Sequence, residues 1–323
     1  MGTSMTILVT GSAGFIGFHV ARELLERGKK VVGLDSVNDY YSQELKWDRN
    51  AILEEYENFV FYHEDLCDLD VLNEMFEENK IEKICHLAAQ AGVRYSVENP
   101  HAYERSNLQG FTNVLEMARH NDVENLVYAS SSSVYGGNED IPYTVGDDVN
   151  EPVSYYAATK VANEVMAHSY NHLYDIPCTG LRFFTVYGPW GRPDMAMFKF
   201  TDRIVEDKPI EVYNYGDMKR DFTYIDDIVE GVIVSLEKTY DYEIFNLGNN
   251  TPVELMEFIG MLEHALGMEA EKEMLPMQPG DMKVTYADIS GSKEKLGFEP
   301  KTDLKEGIKK FVAWYKEYYG VDI

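Results

Sequence analysis

A tyrosine and a lysine four residues apart follow a run of hydroxyl side chains, and these groups together could move a proton. Tyr156 and Lys160 fall one turn apart on one face of a predicted helix, and Ser131 follows a predicted buried strand upstream. A nearby ammonium favours phenolate, so Lys160 would lower the pKa of Tyr156 from about 10 toward neutrality. Tyr156 could then take a proton from a substrate hydroxyl and return it. The alternative is an exposed pair of side chains, because this spacing also occurs by chance.

A glycine-rich turn near the start of the chain indicates a dinucleotide site. Gly11, Gly14 and Gly17 follow an apolar strand at once, an amphipathic helix comes next, and a second strand ends in Asp35. Such glycines permit a tight turn and close backbone approach, so that a pyrophosphate can lie at the helix N-terminus. Asp35 could accept both hydroxyls of an adenosine ribose and would repel a 2′-phosphate, which favours NAD over NADP. A glycine turn without a ligand is the alternative.

The rest of the first half alternates between strands and helices, which predicts an α/β fold with a doubly wound parallel sheet. Predicted strands lie at residues 5–10, 30–34, 59–62, 84–89, 125–129 and 179–183, and the helices between them include a long one at 100–120. Asp65 follows the third strand at the edge where a cofactor would lie, so it is a candidate for the adenine amino group. His86, within the fourth strand, is interpreted as a structural residue satisfied by its neighbours.

After Phe184 the composition changes to an aromatic, Gly/Pro-rich loop at residues 185–193, which suits a substrate site. We therefore expect a boundary there, between an NAD-binding doubly wound part at residues 1–183 and a smaller substrate-binding α/β lobe at 184–323. Segments near 221–248 are expected to pack back on the first domain, since no linker separates the two.

Composition limits the classes of partner. The 323 residues carry a formal net charge of −27, which argues against a nucleic-acid partner. No apolar run approaches the ~20 residues of a membrane span. Three scattered cysteines lack the spacing of metal ligands, so we expect no metal site and free thiols in a reducing cytoplasm.

Several longer motifs carry a family resemblance over nearly the whole chain. They are GSAGFIG, NDYY, LAAQAGVRYS, SSSSVYG, YAATK, RFFTVYGPWGRPDMA, RDFTYIDD and QPGD. With these motifs the chain resembles the extended short-chain dehydrogenase/reductases, specifically the nucleotide-sugar epimerases, and among them most of all the UDP-glucuronate 4-epimerases. The resemblance implies a Rossmann domain that holds NAD tightly and a C-terminal domain that binds a UDP-sugar.

The resemblance also implies roles for individual residues. Tyr156 would be the base, Lys160 its partner and contact to the nicotinamide ribose, and Ser131 the hydrogen-bond donor to the sugar O4. The cofactor would be lined by Gly11, Gly14, Phe15, Ile16, Gly17, Asp35, Asp65, Leu66, Ala88, Asn107, Tyr156, Lys160 and Phe183. The substrate would be bound by Ser131, Ser133, Thr185, Arg192, Arg220 and Asp281. Arg192 is the expected anchor of a sugar carboxylate, with capping of its loop or pairing with Asp194 as the alternative.

Four positions decide which chemistry the resemblance implies. Thr185 stands where related galactose epimerases carry Asn, and this difference fits a uronate substrate. Gln278 stands where they usually carry Arg, which leaves the contacts to the diphosphate open. Related dehydratases carry Asp-Glu at the positions of Ser132 and Ser133, and related decarboxylases carry Glu at the latter. Hydroxyls are poor bases near neutral pH, so we expect C4 epimerisation of UDP-glucuronate to UDP-galacturonate through a 4-keto sugar.

Other functions remain open at this stage. The alternatives within the family are a UDP-glucose/galactose 4-epimerase and another UDP-sugar enzyme such as a UDP-glucuronate decarboxylase. Outside it, a net oxidoreductase would consume its cofactor, and an NAD-sensing regulator need not keep the serine, tyrosine and lysine together. Amphipathic helices at 100–120 and 154–174, with the family resemblance, predict a homodimer through a four-helix bundle.

Overall fold

The computed structural model describes residues 5–278 and 280–322. Residues 1–4, Pro279 and Ile323 lie outside the described residues, so the ends of the two predicted domains and part of the QPGD motif are not assigned. The strands are β1 Thr6–Thr10, β2 Lys30–Leu34, β3 Phe59–Tyr62, β4 Lys83–His86, β5 Asn125–Ser131, β6 Cys178–Phe183, β7 Thr185–Tyr187, β8 Ile210–Val212, β9 Lys219–Tyr224, β10 Tyr242–Leu247, β11 Pro252–Glu254, β12 Lys272–Met274 and β13 Val284–Thr285. The α-helices are α1 Phe15–Glu26, α2 Gln43–Glu54, α3 Leu69–Glu78, α4 Tyr95–Glu98, α5 Pro100–Tyr103, α6 Gly110–His120, α7 Tyr155–Tyr174, α8 Ala196–Val205, α9 Ile225–Glu237, α10 Leu255–Leu266, α11 Ser290–Leu296 and α12 Leu304–Tyr319.

The main sheet has seven parallel strands in the order β10-β6-β5-β4-β1-β2-β3. Side chains alternate across it: Ile7 and Val9 belong to the core under α1, α2 and α9, and Leu8 belongs to the core under α3, α6 and α7. Both faces are therefore covered by helices, and the predicted doubly wound sheet is confirmed.

The strand order reverses between β1 and β4, since β2 and β3 lie on one side of β1 and β4, β5 and β6 on the other. In open parallel sheets a crevice forms at such a reversal, outside the carboxyl ends of the strands. The glycine turn leaves β1 at this edge, and Ser131 ends β5 there.

A smaller lobe stands over this edge. In it β9 pairs with β7, β11 and β13, and the short strand β8 pairs with β12. Aromatic side chains fill the lobe, with Phe222 stacked on Phe258 at 4.5 Å between ring centroids. One buried cluster runs without a break from α1 and α9 into this lobe, so the two parts share a core.

The chain also returns from the lobe to the main sheet. Strand β10 pairs in parallel with β6 as the edge strand, and α9 packs on α1. The segment 225–247 thus lies with the first part of the chain, whereas the division at residues 183 and 184 stays a prediction.

The long helix predicted at 100–120 is interrupted. Between α5 and α6 the backbone forms a π-helix from Glu104 to Gln109, whose wider turn accommodates one extra residue. This turn contains the buried Asn107, whose side-chain nitrogen donates to the carbonyl of Gln90 (3.0 Å) and to Thr159 Oγ1 (3.0 Å). Periodicity alone does not reveal such a turn, because it depends on the partners of one inward-facing amide. Every helix in the described part of the chain is too short or too polar to cross a membrane.

Candidate active site

A cleft of about 660 Å³ separates the carboxyl edge of the main sheet from the smaller lobe. It brings together most of the residues predicted from the sequence. Its walls contain Tyr156, Lys160 and Ser131, the predicted cofactor residues Gly11, Gly14, Phe15, Ile16, Gly17, Asp35, Asp65, Leu66, Ala88 and Phe183, and the predicted substrate residues Ser133, Thr185, Arg192, Arg220 and Asp281. Residues that are far apart in the sequence thus face one space.

Asn107 is placed differently from the expectation. Its side chain lies one layer behind the cleft, where its oxygen accepts from the backbone N–H of Gln90 (2.8 Å) and its nitrogen donates to the carbonyl of the same residue. Gln90 itself lines the cleft. Asn107 therefore fixes the backbone of the cleft wall, and a direct contact with a cofactor stays a prediction.

The glycine turn has the geometry that a pyrophosphate requires. Gly11 has a φ of +73°, and a Cβ at Gly17 would lie 2.0 Å from the carbonyl oxygen of Gly11. Helix α1 starts at Phe15 with Gly14 as a cap that offers no side chain, and its first turn holds no acidic residue. The first N–H groups of the helix are thus open to an anion, and the turn leaves no room for a side chain where the backbone must come close.

Asp35 follows β2 beside the glycine turn, and a lysine missed from the sequence lies near it. Asp35 accepts from the backbone N–H of Val37 (2.8 Å) and of Ala13 (3.1 Å), and burial raises its pKa while these bonds and the charges of Lys46 and Arg49 oppose that effect. Burial lowers the pKa of Lys46 to about 8, against the charge of Asp35. The sequence did not identify Lys46 as a site residue, because only the tertiary fold turns α2 toward the cleft.

Arg49, on the same helix, ties the two halves of the cleft together. Its guanidinium donates to the carbonyl of Ala13 (2.8 Å) in the glycine turn and to the carbonyls of Trp190 (2.7 Å) and Gly191 (3.1 Å) in the loop of the smaller lobe. Arg49 is fully buried. The loop at 185–193 is therefore positioned by the same element that borders the glycine turn.

The proposed proton-transfer residues meet at the end of β5. Ser131 Oγ donates to Ser133 Oγ (3.1 Å) and lies beside Tyr156, while the ammonium of Lys160 donates to the carbonyl of Ala129 (2.8 Å). Burial raises the pKa of Tyr156, and the Ser131 hydroxyl and the charge of Arg192 lower it. The expectation that Lys160 lowers this pKa toward neutrality is wrong for this structure, because burial outweighs the other effects and the opposing cation is Arg192.

Arg192 forms the pair that was the alternative to its role as anchor. Its Nε and Nη2 donate to Asp194 Oδ1 (3.0 Å) and Oδ2 (2.5 Å), and the Tyr40 hydroxyl donates to the same carboxylate (3.2 Å). Asp194 thereby fixes the plane of the guanidinium in the cleft wall. Asp194 was the alternative partner of Arg192 in the sequence analysis, whereas Tyr40 was not assigned to this site because it lies 154 residues from Asp194.

Arg94 and Arg220 line the cleft on the side of the smaller lobe. Arg94 lies 3.5 Å from Asp281 and stands over the ring of Tyr213, with 4.7 Å between its guanidinium and the ring centroid. Arg220 donates to the carbonyls of Lys219 (2.8 Å) and Lys283 (3.2 Å). Two arginines and one aromatic ring are groups that suit phosphates and a nucleobase.

Comparison with known proteins places this cleft in a family. The model of the NAD dependent epimerase/dehydratase family matches residues 7–248. The chain belongs to this family. The family's cofactor is the one that the glycine turn and Asp35 fit, and the family resemblance noted from the motifs is confirmed.

Individual members of the family are similar to the chain over nearly its full length. A probable UDP-glucuronate 4-epimerase of Rhizobium meliloti is 47% identical over 98% of each chain. A UDP-glucuronate 4-epimerase of Arabidopsis thaliana is 46% identical over 98% of this chain and 77% of its own. The crystal structure of a UDP-glucuronic acid 4-epimerase from Bacillus cereus, in complex with UDP-glucuronic acid and NAD, has a TM-score of 0.91 and 36% identity, and covers 98% of this chain and 100% of its own.

Replacing Gly17 by alanine tests whether the close turn holds NAD. The new methyl group would overlap the carbonyl of Gly11, so that the turn must open and NAD affinity should fall at least about tenfold, or about 1.4 kcal/mol. Gly260→Ala is the matched control, because Gly260 also lies inside a helix and has open space around it. Calorimetric titration with NAD measures both; equal affinities in the two variants would contradict the role of the turn.

Proposed function

We propose that the protein is an NAD-dependent UDP-glucuronate 4-epimerase, which converts UDP-glucuronate to UDP-galacturonate through a 4-keto sugar. The observation that carries this function is the joint position of Ser131, Tyr156 and Lys160 beside an NAD-type glycine turn, with hydroxyls at Ser132 and Ser133. The named relatives and the Bacillus cereus complex support it.

Tyr156 is the proton-transfer group in this reaction. Its phenol lies beside Ser131, which can donate a hydrogen bond to the sugar O4 and so place that oxygen next to the phenol. Tyr156 removes the O4 proton as C4 is oxidised, and returns it once the flat ketone has turned its other face. NAD, when bound, supplies the reversible acceptance of hydride from C4.

Lys160 lies against strand β5 of the main sheet. Its ammonium is held by the carbonyl of Ala129 at 2.8 Å and lines the same cleft as Tyr156. A contact between Lys160 and the nicotinamide ribose would keep ring and sugar in register. Because the hydride is given back in each turnover, the reaction needs no external reductant.

Elimination and net decarboxylation fit the cleft less well. Related dehydratases and decarboxylases place carboxylates where this chain has Ser132 and Ser133. Asp194 lines the cleft, but its two oxygens already accept from Arg192 and Tyr40. A carboxylate held in this way is a poor base, so epimerisation is the reaction that these groups support.

Incubation with UDP-glucuronate tests the function and the role of Tyr156 together. NMR of the anomeric protons should show UDP-galacturonate, with almost no change in nicotinamide absorbance. Tyr156→Phe keeps the ring and removes the proton shuttle, so turnover should fall roughly 10²–10⁴-fold while NAD and UDP-sugar still bind. No conversion by the unaltered protein would overturn the function, whereas conversion at the normal rate by the variant would move the base elsewhere.

The substrate carboxylate needs an anchor, because a 4-keto uronate is a β-keto acid. Such acids lose CO₂ most readily when the bond to the carboxylate stands perpendicular to the ketone plane. Arg192 supports this role, since Asp194 fixes its guanidinium and the Nη1 group remains outside that pair. Thr185 and Ser133 line the same part of the cleft and would add hydroxyl donors.

Arg192→Met measures this anchor. Turnover of UDP-glucuronate should weaken by about 2–4 kcal/mol, in line with the loss of a charge-paired contact, and turnover of neutral UDP-glucose should suffer much less. A small leak to a UDP-4-keto-pentose should accompany the loss, because the freed carboxylate can reach the perpendicular geometry. NMR of the products and nicotinamide absorbance follow both effects. Equal losses on the acidic and neutral sugars would remove Arg192 from the carboxylate site.

The outer face of α7 supports a homodimer. Val165 and Leu173 lie on this helix with 64% and 61% of their surfaces exposed, while Tyr170 of α7 donates to Glu116 of α6 (2.7 Å) and joins the two helices into one face. Two copies of this face, paired across a two-fold axis, would form a four-helix bundle and cover both apolar side chains.

Light scattering measures this assembly. The unaltered protein should show twice the chain mass at micromolar concentration, and Val165→Glu with Leu173→Glu should shift it toward the monomer because two charges would be buried. Met274→Glu is the control, since Met274 is an exposed apolar residue on the smaller lobe. A monomeric mass for the unaltered protein would exclude the dimer.

We also propose a cytoplasmic location. Cys67, Cys85 and Cys178 are all free thiols in the structure, and the latter two are buried within strands. Free thiols persist in reducing compartments, which supports this location.

A further inference from the structure

Helix α7 carries a third polar residue on the buried face that holds Tyr156 and Lys160. Glu164 follows Lys160 by four residues, as Lys160 follows Tyr156, so that the three side chains lie along one side of the helix. Lys160 and Glu164 are 2% and 6% exposed. A carboxylate at such a depth is uncommon unless it is paired, and neither the sequence nor the reaction described above assigns it a role.

Three donors fix the carboxylate of Glu164. Its Oε1 accepts from Ser130 Oγ (2.6 Å) and Arg182 Nε (2.9 Å), and its Oε2 accepts from Arg182 Nη2 (2.8 Å). Ser130 and Ser131 are neighbours on β5, so their side chains point to opposite sides of the sheet. One serine therefore faces the cleft and the other holds Glu164.

Lys160 needs an anion close to it. It is fully buried beside one backbone acceptor, the carbonyl of Ala129, and burial lowers its pKa to about 8. Glu164 is the charged group that opposes this shift. Without it, desolvation alone would favour the neutral amine, and the contact to the nicotinamide ribose proposed above would lose its charged donor.

The other titratable groups around Lys160 offer no second anion among the described residues. His86 of β4 has its pKa lowered to about 3 by burial and by the charge of Lys160, so it is neutral. Arg182 of β6 is a cation held by Glu164. The phenols around this pocket have raised pKa values, with burial as the main cause, and stay neutral: Tyr103 of α5, Tyr128 of β5, Tyr135 after it, Tyr156 of α7 and Tyr242 of β10.

We infer that Glu164 is a positioning residue: its carboxylate, fixed by Ser130 and Arg182, keeps the buried ammonium of Lys160 protonated beside Tyr156. The inference rests on the proposed function only for the reason why a charged Lys160 matters to turnover. A purely structural ion pair between Glu164 and Arg182 is the competing explanation, and the two differ in their dependence on pH.

A titration of Lys160 tests the inference without any sugar. In protein labelled with ¹³C at the lysine Cε, the Lys160 signal is assigned by its absence in Lys160→Arg, and its shift follows loss of the proton. Glu164→Gln keeps the shape of the side chain and removes its charge, so the midpoint should fall by about one pH unit or more. Glu263→Gln is the matched control, because Glu263 is a helical carboxylate that pairs with Lys272 outside the cleft. An unchanged midpoint in folded Glu164→Gln overturns the inference.

The pH profile of epimerisation gives the second measurement. If Lys160 loses its proton at lower pH in Glu164→Gln, the fall of turnover on the alkaline side should also begin at lower pH. Relative to the unaltered protein, the variant should therefore lose about tenfold more activity at about pH 8.5 than at about pH 6.5. A structural role would lower turnover by the same factor across this range, and that result would count against Glu164 as a positioning residue.

A double variant keeps the test decisive if Glu164→Gln does not fold with an unpaired Arg182. Glu164→Gln with Arg182→Met removes both charges of the pair, and the Lys160 midpoint should still fall, whereas an unchanged midpoint overturns the inference. The titration also separates the two proposals. A shifted midpoint in a protein that turns over no UDP-glucuronate would leave the role of Glu164 intact and reject the proposed function.

Discussion

The shape of the cleft depends on close backbone packing at the glycine turn. The Cα of Gly17 sits so near the carbonyl of Gly11 that no Cβ fits between them, and a Cβ on Gly11 would lie 2.8 Å from the backbone nitrogen of Ala88. These contacts fix how closely helix α1 and the residues after β4 approach the turn that follows β1. Arg49 donates to the carbonyl of Ala13 in the glycine turn and to that of Trp190 in the loop of the smaller lobe. The position of this loop, and with it the second wall of the cleft, therefore depends on the position of the turn.

The chemistry at the end of β5 depends in turn on burial, which acts in opposite directions on its two main groups. It raises the pKa of Tyr156 and lowers that of Lys160, so both side chains are driven toward their neutral forms. The charge of Arg192 opposes the rise in the pKa of Tyr156, and the charge of Glu164 opposes the fall in the pKa of Lys160. Each of these charges is itself held in a bidentate pair, by Asp194 and by Arg182.

Features that depend on a few neighbouring residues could be predicted from the sequence, whereas features that depend on contacts between distant residues could not. The glycines of the turn, Asp35 and the Tyr156–Lys160 spacing are local patterns tied to one strand or one helical turn, and the parallel sheet followed from alternating elements. Lys46, the contact of Tyr40 with Asp194 and the π-helix around Asn107 depend on which remote groups face them, and no spacing encodes that. The pKa of Tyr156 was misjudged for the same reason, because its burial is a property of the whole fold.

The charge distribution gives the cleft an electrostatic character unlike that of the molecule around it. The whole chain carries a formal net charge of −27, yet the described residues that line the cleft include seven cations beside six carboxylates. The cations are Lys46, Arg94, Lys160, Arg192, Lys199, Arg203 and Arg220, and the carboxylates are Asp35, Glu64, Asp65, Asp194, Glu211 and Asp281. An anionic nucleotide sugar is therefore repelled by the whole molecule at long range, whereas inside the cleft it meets cations that balance the nearby carboxylates. The Debye length shortens from about 30 Å at 0.01 M salt to about 10 Å at 0.1 M, so moderate salt screens the distant repulsion before it weakens the attraction inside. Capture of such a ligand should accordingly be faster at moderate than at very low ionic strength, the reverse of the behaviour of a uniformly basic binding surface.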